Sequence, residues 1–489
     1  MSAIHEHTTE EPLTCVPGAV RPGAVLTVLV AGTILAPLDA SIVNIALPSM
    51  AAQFDVRLTL VSWVTTAYLL TSAALLLSMG RLGDVWGLRR LYIAGLIVFG
   101  VGSLACAVSP SIGFLIAARV LQASGSAMLF AAGPALVTRT FPPNRRGWAL
   151  GYIALAVSLG LTAGPALGGV LVGTWGWPSI FIINLPIVAV VTVMSWRLLP
   201  DECPAGGRFD IPGALLSGMA LFLVLIGLGG ADRAGLISPA VIGPVAVGLL
   251  LGAVFVWWEH RAIAPMVDMA IFRVRAFSAG ITAATLAYLA LFAVTFTMPF
   301  YLVRVHGFDA RIAGLVLTAT PITMAVLAPI AGRRSDRKGS RTLATAGIAV
   351  LGGGLFIASF LEEGTPIALI VAALVVVGSG MAVFQTPNTS AVLRATPRSS
   401  SGVGSAFVAE ARNVGMSLGI ALTAAIVSAA VGAQGLPGGE GPIPEAVATA
   451  FVGGMSTALR VAAVIALGGA AVSWFGREAD PVEGVGVKH

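Results

Sequence analysis

Two segments of the chain share one pattern: Gly80-Arg-Leu-Gly-Asp84-Val-Trp-Gly87-Leu-Arg89 and, 252 residues later, Gly332-Arg-Arg-Ser-Asp336-Arg-Lys-Gly339-Ser-Arg341. Both hold Gly, Asp, Gly and Arg at matching positions, and each follows the second long apolar run of its half of the chain. Any tight loop favours Gly and Arg, but that preference does not explain a matching Asp. The repeat predicts two homologous halves, each with this segment as a short loop after its second helix.

The chain around the repeat is strongly apolar. Of its 489 residues, 57% are hydrophobic and 10% are charged, whereas a soluble domain carries about 25% charged residues. A helix needs about 20 apolar residues to cross a bilayer. Runs with one charge or none predict fourteen such helices: 24–48, 58–80, two within 91–138, two within 147–196, 211–231, 234–258, 276–303, 312–332, 342–361, 364–393, 413–439 and 455–475.

These spans divide the chain into an all-α integral membrane fold with two six-helix bundles. The first bundle covers 24–199 and the second covers 276–475, with a linker of two extra helices at 200–275. Short tails, 1–23 and 476–489, flank them. Proteins built from repeated halves commonly hold a binding site between the halves, near the midplane of the membrane.

The basic residues orient the chain. With the N-terminus inside, the cytoplasmic tails and loops hold 21 of the 28 Lys and Arg residues, and the outer loops hold four. Cytoplasmic loops carry the excess of such residues, so both termini are predicted to be cytoplasmic. The 26 Arg against 2 Lys are typical of a GC-rich bacterial genome, and we therefore expect a bacterial cytoplasmic membrane.

Several functional classes are excluded by the sequence. The basic residues lie in short clusters between apolar runs, so nucleic-acid binding is rejected. No soluble segment is long enough for a catalytic domain, and no GxxxxGK[ST] phosphate loop is present. The three cysteines are far apart and have no metal-ligand spacing. We expect neither an enzyme nor a metal or cofactor.

Five charged residues are predicted to lie inside the membrane: Asp39, Arg119, Arg460 and, where the thirteenth span extends before its charge-free run, Glu410 and Arg412. A charge at the bilayer centre costs roughly 3 kcal/mol, and such residues are usually functional. Asp39 is about 22 Å from the cytoplasmic end of its span and Arg119 about 10 Å from the outer end of its own. The two are therefore at similar depth, and an ion pair or a shared water is expected if their helices are neighbours.

Protonation of Asp39 would break such a pair, which makes the pair a candidate proton switch. Since an Arg does not lose its proton in a protein, Arg119 would act by keeping Asp39 ionised. The alternative is a static ion pair that fixes helix packing. Histidines 5, 7, 260, 306 and 489 lie outside the spans, so proton coupling is predicted to depend on carboxylates.

Glu410 is about eight residues into the thirteenth span. A buried carboxyl without a partner readily holds a proton, and Glu410 is a candidate for a second proton, for binding a cation, or for lining a wet crevice. Arg412, two residues on, points to another face. Arg460 is near the outer end of its span and is expected to reach the interface.

The ninth span carries Tyr288, Phe292, Phe296 and Phe300 at intervals of four residues. This spacing predicts an aromatic stripe on one helix face. Such a stripe would bind flat lipophilic molecules if it faced a cavity, and would be ordinary if it faced lipid.

Three further segments have distinctive spacing. The first span reads Leu38-Asp39-Ala-Ser-Ile-Val-Asn44-Ile-Ala-Leu-Pro48, and the fourth reads Arg119-Val-Leu-Gln122-Ala123-Ser-Gly125. The fifth follows G-x8-G-x3-GP-x2-GG and carries these residues: Gly151, Gly160, Gly164, Pro165, Gly168 and Gly169.

Through these segments and the loop 80–90, the chain resembles the major facilitator superfamily, and within it the fourteen-span drug:proton antiporters. The resemblance implies a role in proton or substrate binding for the first-span acid and a role in proton transfer for Arg119. Ala123 stands where that family usually has Gly. The fifth-span motif implies an exporter.

The resemblance also implies that Asp84 helps to lock the two halves together on the cytoplasmic side. That family often has Arg directly after this Asp; here it is Val85, while the second copy keeps Arg337. The predicted gating residues are Gly80, Asp84, Gly87, Arg89, Asp336 and Arg341. The predicted substrate-binding residues are Asp39, Asn44, Glu410, Arg412, Tyr288, Phe292 and Phe296.

We therefore expect a monomeric, proton-driven exporter of lipophilic compounds, cationic ones included, that works by alternating access in the lipid bilayer. Its partners would be a small molecule and protons. An exporter of one endogenous metabolite, antibiotic, siderophore or lipid would share the mechanism. Proton-coupled uptake fits the fifth-span motif less well. A sensor or scaffold would not need buried charges or a duplicated loop.

Overall fold

The computed structural model describes residues 22–56, 58–200, 209–229, 238–262, 264–308, 310–432 and 444–476. Across these ranges the regular structure is helical, and fourteen helices are long and apolar enough to cross a membrane. The predicted fold class and span count are confirmed. The two tails lie almost entirely outside the described residues.

The N-terminal half contains the first six spanning helices. The fourth begins after Ser111, whose side chain accepts a hydrogen bond from the Phe114 N–H and caps the helix N-terminus. The bounds are α1 Pro22–Phe54, α2 Trp63–Trp86, α3 Leu88–Ala107, α4 Ile112–Thr140, α5 Arg146–Trp175 and α6 Asn184–Leu198.

Two inserted helices follow, α7 Ile211–Gly229 and α8 Pro239–Glu259. They lie outside the two bundles, and most of their surface is exposed. Leu225 of α7 packs with Leu70 and Ala73 of α2. The insertion therefore covers one side of the junction without entering the space between the halves.

The C-terminal half repeats the six-helix arrangement. The bounds are α9 Arg275–Phe300, α10 Ala319–Lys338, α11 Arg341–Ala358, α12 Ile367–Ala395, α13 Ser401–Val431 and α14 Glu445–Phe475. A π-turn at Tyr301–Val305 extends α9. Across the two halves, α5 packs on α10 and α2 packs on α13, so each half contributes the same pair of positions to the junction.

Two sequence predictions need correction here. The repeated segments are not loops: Gly80–Trp86 form the last turns of α2, Gly332–Lys338 form the last turns of α10, and Gly87 and Gly339 break the helices. Both glycines have positive φ, +103° and +86°, a conformation that residues with a Cβ rarely adopt. The recurring glycine is therefore explained by the one- or two-residue turn that connects two consecutive helices at this point.

The predicted start of the last span was also wrong, because α14 begins at Glu445 rather than 455. Helix α13 begins at Ser401, before the charge-free run 413–439, in agreement with the predicted position of Glu410 about eight residues into the span. The charge-free run stops at Arg412, although the helix continues through Glu410 and Arg412. The predicted end of the thirteenth span, at 439, lies outside the described residues.

Candidate functional site

The buried charges of the N-terminal half form one cluster. Asp39 of α1 and Arg119 of α4 are both fully buried, and Arg119 Nη1 lies 2.5 Å from Asp39 Oδ2. The other oxygen, Oδ1, accepts hydrogen bonds from Gln122 Nε2 at 2.8 Å and from Asn184 Nδ2 at 3.2 Å. The predicted proximity of Asp39 and Arg119 is confirmed, and two amides complete the shell.

Local helix geometry explains part of this cluster. Arg119 and Gln122 are three residues apart and share one face of α4, and Arg119 Nη1 also donates to Gln122 Oε1 at 2.6 Å. The Arg119 guanidinium lies over the Tyr68 ring of α2, 4.1 Å from its centroid. Ser103 of α3 accepts a hydrogen bond from Gln122 at 2.9 Å. Five helices thus hold one carboxylate.

Sequence reasoning missed Tyr68, Ser103 and Asn184. Each is a neutral polar residue inside an apolar run, and such residues carry no charge to mark them. The Tyr68 hydroxyl lies beside Ser126 without completing a hydrogen bond within the described residues.

A cavity of about 70 Å³ lies between the two halves. Helices α1, α4 and α5 line it from one side, and α9, α12 and α13 from the other. Of the predicted substrate-binding residues, Tyr288 and Arg412 line this cavity in the structure. Its position between repeated bundles is the one expected for a substrate site.

The other predicted substrate-binding residues lie elsewhere in this conformation. Phe292 packs against the C-terminal core, and the Phe296 ring lies 5.7 Å from that of Phe300. Asn44 is exposed near the far end of α1, where Thr65 donates to its side-chain oxygen at 3.4 Å. Asp39 is sealed away from the cavity wall. Substrate contact by these residues stays a prediction.

Glu410 of α13 is 7% exposed, and within the described residues neither of its carboxylate oxygens has a hydrogen-bond partner. Arg412 turns to another face, as predicted, and its guanidinium lies 4.8 Å from the centroid of the Phe130 ring on α4. Arg460 lies midway along α14 and is exposed beside Phe360, and its predicted position at the interface stays a prediction. Glu410 is thus a second embedded acid, distinct from the Asp39 cluster.

The repeated aspartates close one end of the bundle, which we name the Asp84/Asp336 face. Asp84 is fully buried and accepts hydrogen bonds from the N–H groups of Gly402 and Val403 at 2.9 and 3.1 Å. These groups lie in the first turn of α13, in the opposite half. Arg139 Nη2 lies 3.0 Å from Asp84 Oδ1 and its Nε donates to Ser401 at 2.9 Å.

The second copy makes the mirror arrangement. Asp336 accepts hydrogen bonds from the N–H groups of Gly147 and Trp148 at 2.9 and 2.8 Å, in the first turn of α5. A helix N-terminus carries partial positive charge and unpaired N–H groups, so a carboxylate is well placed there. Gly332 packs directly against Gly147, and a Cβ would not fit between them. An aspartate of each half therefore caps the N-terminus of a helix in the other half.

In the described part of the chain, Arg89 and Arg341 each donate a hydrogen bond to a carbonyl of their own half, so a gating role for them stays a prediction. Arg89 Nη2 donates to the Trp196 carbonyl at 2.5 Å, and Arg341 Nε donates to the Trp474 carbonyl at 2.7 Å. Each arginine thus ties the third helix of its half to the sixth helix of the same half. Both arginines recur because the same pair of helices is in contact within each bundle.

The glycines of α5 serve two interfaces. Gly151 lies against Ala328 and Pro329 of α10, in the other half, whereas Gly160, Gly164 and Gly168 lie against α1. A Cβ on Gly169 would meet no atom within 4 Å. The side chain of Pro165 lies outside the described part of the structure, and α5 continues as one helix through this position.

Two repeated six-helix bundles with a cavity between them define a membrane transporter. The family model of the Major Facilitator Superfamily matches residues 29–420 and, in a second match, 280–485. The chain belongs to this superfamily.

Relatives with names cover most of the chain. The riboflavin transporter RibZ of Clostridioides difficile is 36% identical over 81% of this chain and 86% of its own length. The multidrug resistance protein Stp of Mycobacterium tuberculosis is 32% identical, covering 84% of this chain and 76% of its own. The tetracenomycin C resistance and export protein of Streptomyces glaucescens is 30% identical, covering 95% and 93%.

Solved structures agree on the fold. The human organic anion transporter MFSD10 matches with a TM-score of 0.65 and 16% identity, covering 92% of this chain and 99% of its own. The proton:xylose symporter XylE matches with a TM-score of 0.64 and 12% identity, covering 94% and 96%. At these identities the likeness establishes architecture alone.

Proposed function

We propose that this protein exports lipophilic compounds in exchange for protons, by alternating access. The observation that carries the proposal is the fully buried Asp39–Arg119 pair. A charge in the interior of a membrane is costly, and a pair that served packing alone would be replaced by apolar residues at little cost. Two named resistance proteins among the relatives, at 30% and 32% identity, support export rather than uptake.

The chemistry of the cluster suits a proton switch. Ionised, Asp39 accepts hydrogen bonds from Arg119, Gln122 and Asn184. Protonated, it loses its charge and leaves Arg119 buried without a counter-charge, which is strongly unfavourable. Arg119 must then gain water or another anion, so loading a proton drives a rearrangement of α1 against α4.

The Asp84/Asp336 face supplies the second element of alternating access. In the structure, two carboxylates bind helix N-termini of opposite halves there. Opening this face requires both carboxylates to leave the first turns of α13 and α5. The sequence predicts that this face lies in the cytoplasm, so we assign the structure to the state closed toward the cytoplasm.

A second candidate is export of one dedicated metabolite by the same mechanism. The 36% identity to a riboflavin transporter favours it, because that relative is named for a single compound. The two candidates differ in the breadth of the cavity's specificity and share the buried pair.

The proposal is tested with inverted membrane vesicles that are acidified inside by respiration. Uptake of two xanthene dyes, anionic fluorescein and cationic rhodamine 6G, is measured with and without nigericin, which collapses the pH gradient. Asp39→Asn and Glu410→Gln are compared with Asp55→Asn, which makes the same chemical change at an exposed carboxylate just beyond α1.

Gradient-dependent uptake of either dye, lost in Asp39→Asn and kept in Asp55→Asn, supports proton-coupled export. Uptake that Asp39→Asn leaves unchanged would remove the proton-switch role. If neither dye moves in the native protein, the same assay is repeated with riboflavin as a single-metabolite probe.

A further inference from the structure

The two walls of the central cavity differ in chemistry. The wall from the N-terminal half is almost wholly apolar and includes Leu129, Phe130, Pro134 and Ile153. The wall from the C-terminal half is mostly polar, with these side chains: Tyr288, Gln385, Thr386, Thr389, Ser405 and Arg412. A ligand that fits both walls has one apolar face and one edge rich in hydrogen-bonding groups.

Arg412 gives this cavity its charge. It is the charged residue among the described residues of the lining, and it is half-buried. Its guanidinium lies over the Phe130 ring at 4.8 Å and makes no hydrogen bond or ion pair with the described part of the chain. Five N–H donors on a guanidinium are thus held at the cavity wall without a protein acceptor.

Neither embedded acid neutralises Arg412 by direct contact. Asp39 is fully buried and already paired with Arg119. Glu410 acts on Arg412 only through space, because neither of its oxygens forms a hydrogen bond among the described residues. A cation entering the cavity would therefore meet a positive charge and no carboxylate surface.

We infer that the cavity binds an aromatic or polycyclic compound with an anionic or strongly hydrogen-bond-accepting edge, oriented toward Arg412, and does not favour cations. Carboxylates, phenolates and enolised ketones carry oxygens that a guanidinium binds through two parallel hydrogen bonds. The ring system would pack against the apolar wall, beside the contact between Arg412 and Phe130. In this conformation the cavity volume is about 70 Å³, smaller than sites for small organic molecules, so binding of such a compound requires the two walls to move apart. This substrate class rests on the proposed transport function for its biological meaning.

The inference is tested by equilibrium binding, without any gradient. Purified full-length protein in nanodiscs is titrated with fluorescein and with rhodamine 6G, and fluorescence anisotropy is recorded. The two dyes share a xanthene ring system and differ in charge. We expect fluorescein to bind at least about tenfold more tightly than rhodamine 6G, the effect of about one charge-assisted hydrogen bond.

Arg412→Gln should weaken fluorescein binding by about tenfold or more, and Arg412→Lys, which keeps the charge, should recover part of it. The matched control is Arg460→Gln, which removes an exposed membrane arginine beside Phe360 outside the cavity. It should leave fluorescein binding unchanged. If Arg412→Gln does not fold, the relative affinity of the native protein for the two dyes still tests the inference.

A preference for rhodamine 6G, fluorescein affinity that Arg412→Gln does not change, or no fluorescein binding at all would overturn the inference. Arg412-dependent fluorescein binding without gradient-driven uptake would instead leave the ligand class intact and count against proton-coupled export. Gradient-driven uptake of rhodamine 6G alone would support proton-coupled export and contradict the inferred ligand class.

Discussion

Asp84 and Asp336 occupy equivalent positions in the two halves, and each accepts two backbone hydrogen bonds from the first turn of a helix in the other half. The two sites differ in one respect. Asp84 is also ion-paired with Arg139 at 3.0 Å, whereas Asp336 has no ion pair within the described residues. The contact of Asp84 with α13 is therefore stronger than the equivalent contact of Asp336 with α5.

This asymmetry predicts that Asp84→Asn weakens closure of the Asp84/Asp336 face more than Asp336→Asn does. Each change removes a charge at a helix N-terminus, worth about 0.3–2 kcal/mol, and Asp84→Asn also leaves Arg139 without its acid. The measurement is labelling of a cysteine introduced at Ser405, beside the cavity, by a reagent added on the cytoplasmic side, with Cys15, Cys106 and Cys203 replaced. Equal labelling in the two variants would contradict a larger contribution of Asp84 to closure of this face.

The second prediction separates a proton switch from a static ion pair. Asp39→Asn leaves Arg119 buried and unpaired, so we expect a loss of about 3–5 kcal/mol of stability. The double variant Asp39→Asn with Arg119→Gln removes both charges and should recover much of the lost Tm in nanodiscs. Gradient-driven uptake should stay absent in the double variant. Recovery of both Tm and uptake would show that the pair is structural.

The sequence was sufficient to predict fourteen helices, two halves and the Asp39–Arg119 pair, because isolated charges in apolar runs can be counted and placed by depth. It was not sufficient to predict the hydrogen-bond donors that the repeated aspartates bind. Asp84 binds the N–H groups of Gly402 and Val403, and backbone groups have no side-chain signature. Asn184 was missed for another reason: its contact with Asp39 depends on which helices are neighbours and how α6 is rotated.

Glu410 gives the third prediction. Its carboxylate is buried and neither oxygen has a hydrogen-bond partner among the described residues. An ionised carboxylate there is costly, so the isosteric Glu410→Gln should leave Tm unchanged or raise it. We expect the same variant to reduce gradient-driven dye uptake if Glu410 carries a proton. A clear fall in Tm would mean that Glu410 is held by interactions that the structure does not contain.

The fourth prediction concerns the packing of α5 against the opposite half. A Cβ on Gly151 would lie 2.7 Å from Pro329 Cα and 2.8 Å from the Ala328 carbonyl oxygen, both backbone atoms of α10. Since backbone cannot move aside as a side chain can, Gly151→Ala should destabilise the closed Asp84/Asp336 face by about 1–3 kcal/mol. Cytoplasmic labelling at position 405 should rise and dye uptake should fall. Gly169→Ala is the matched control, because the same change in the same helix meets no atom within 4 Å. If both variants behave alike, α5 does not rely on close contact with α10, and closure must depend on the two aspartates alone.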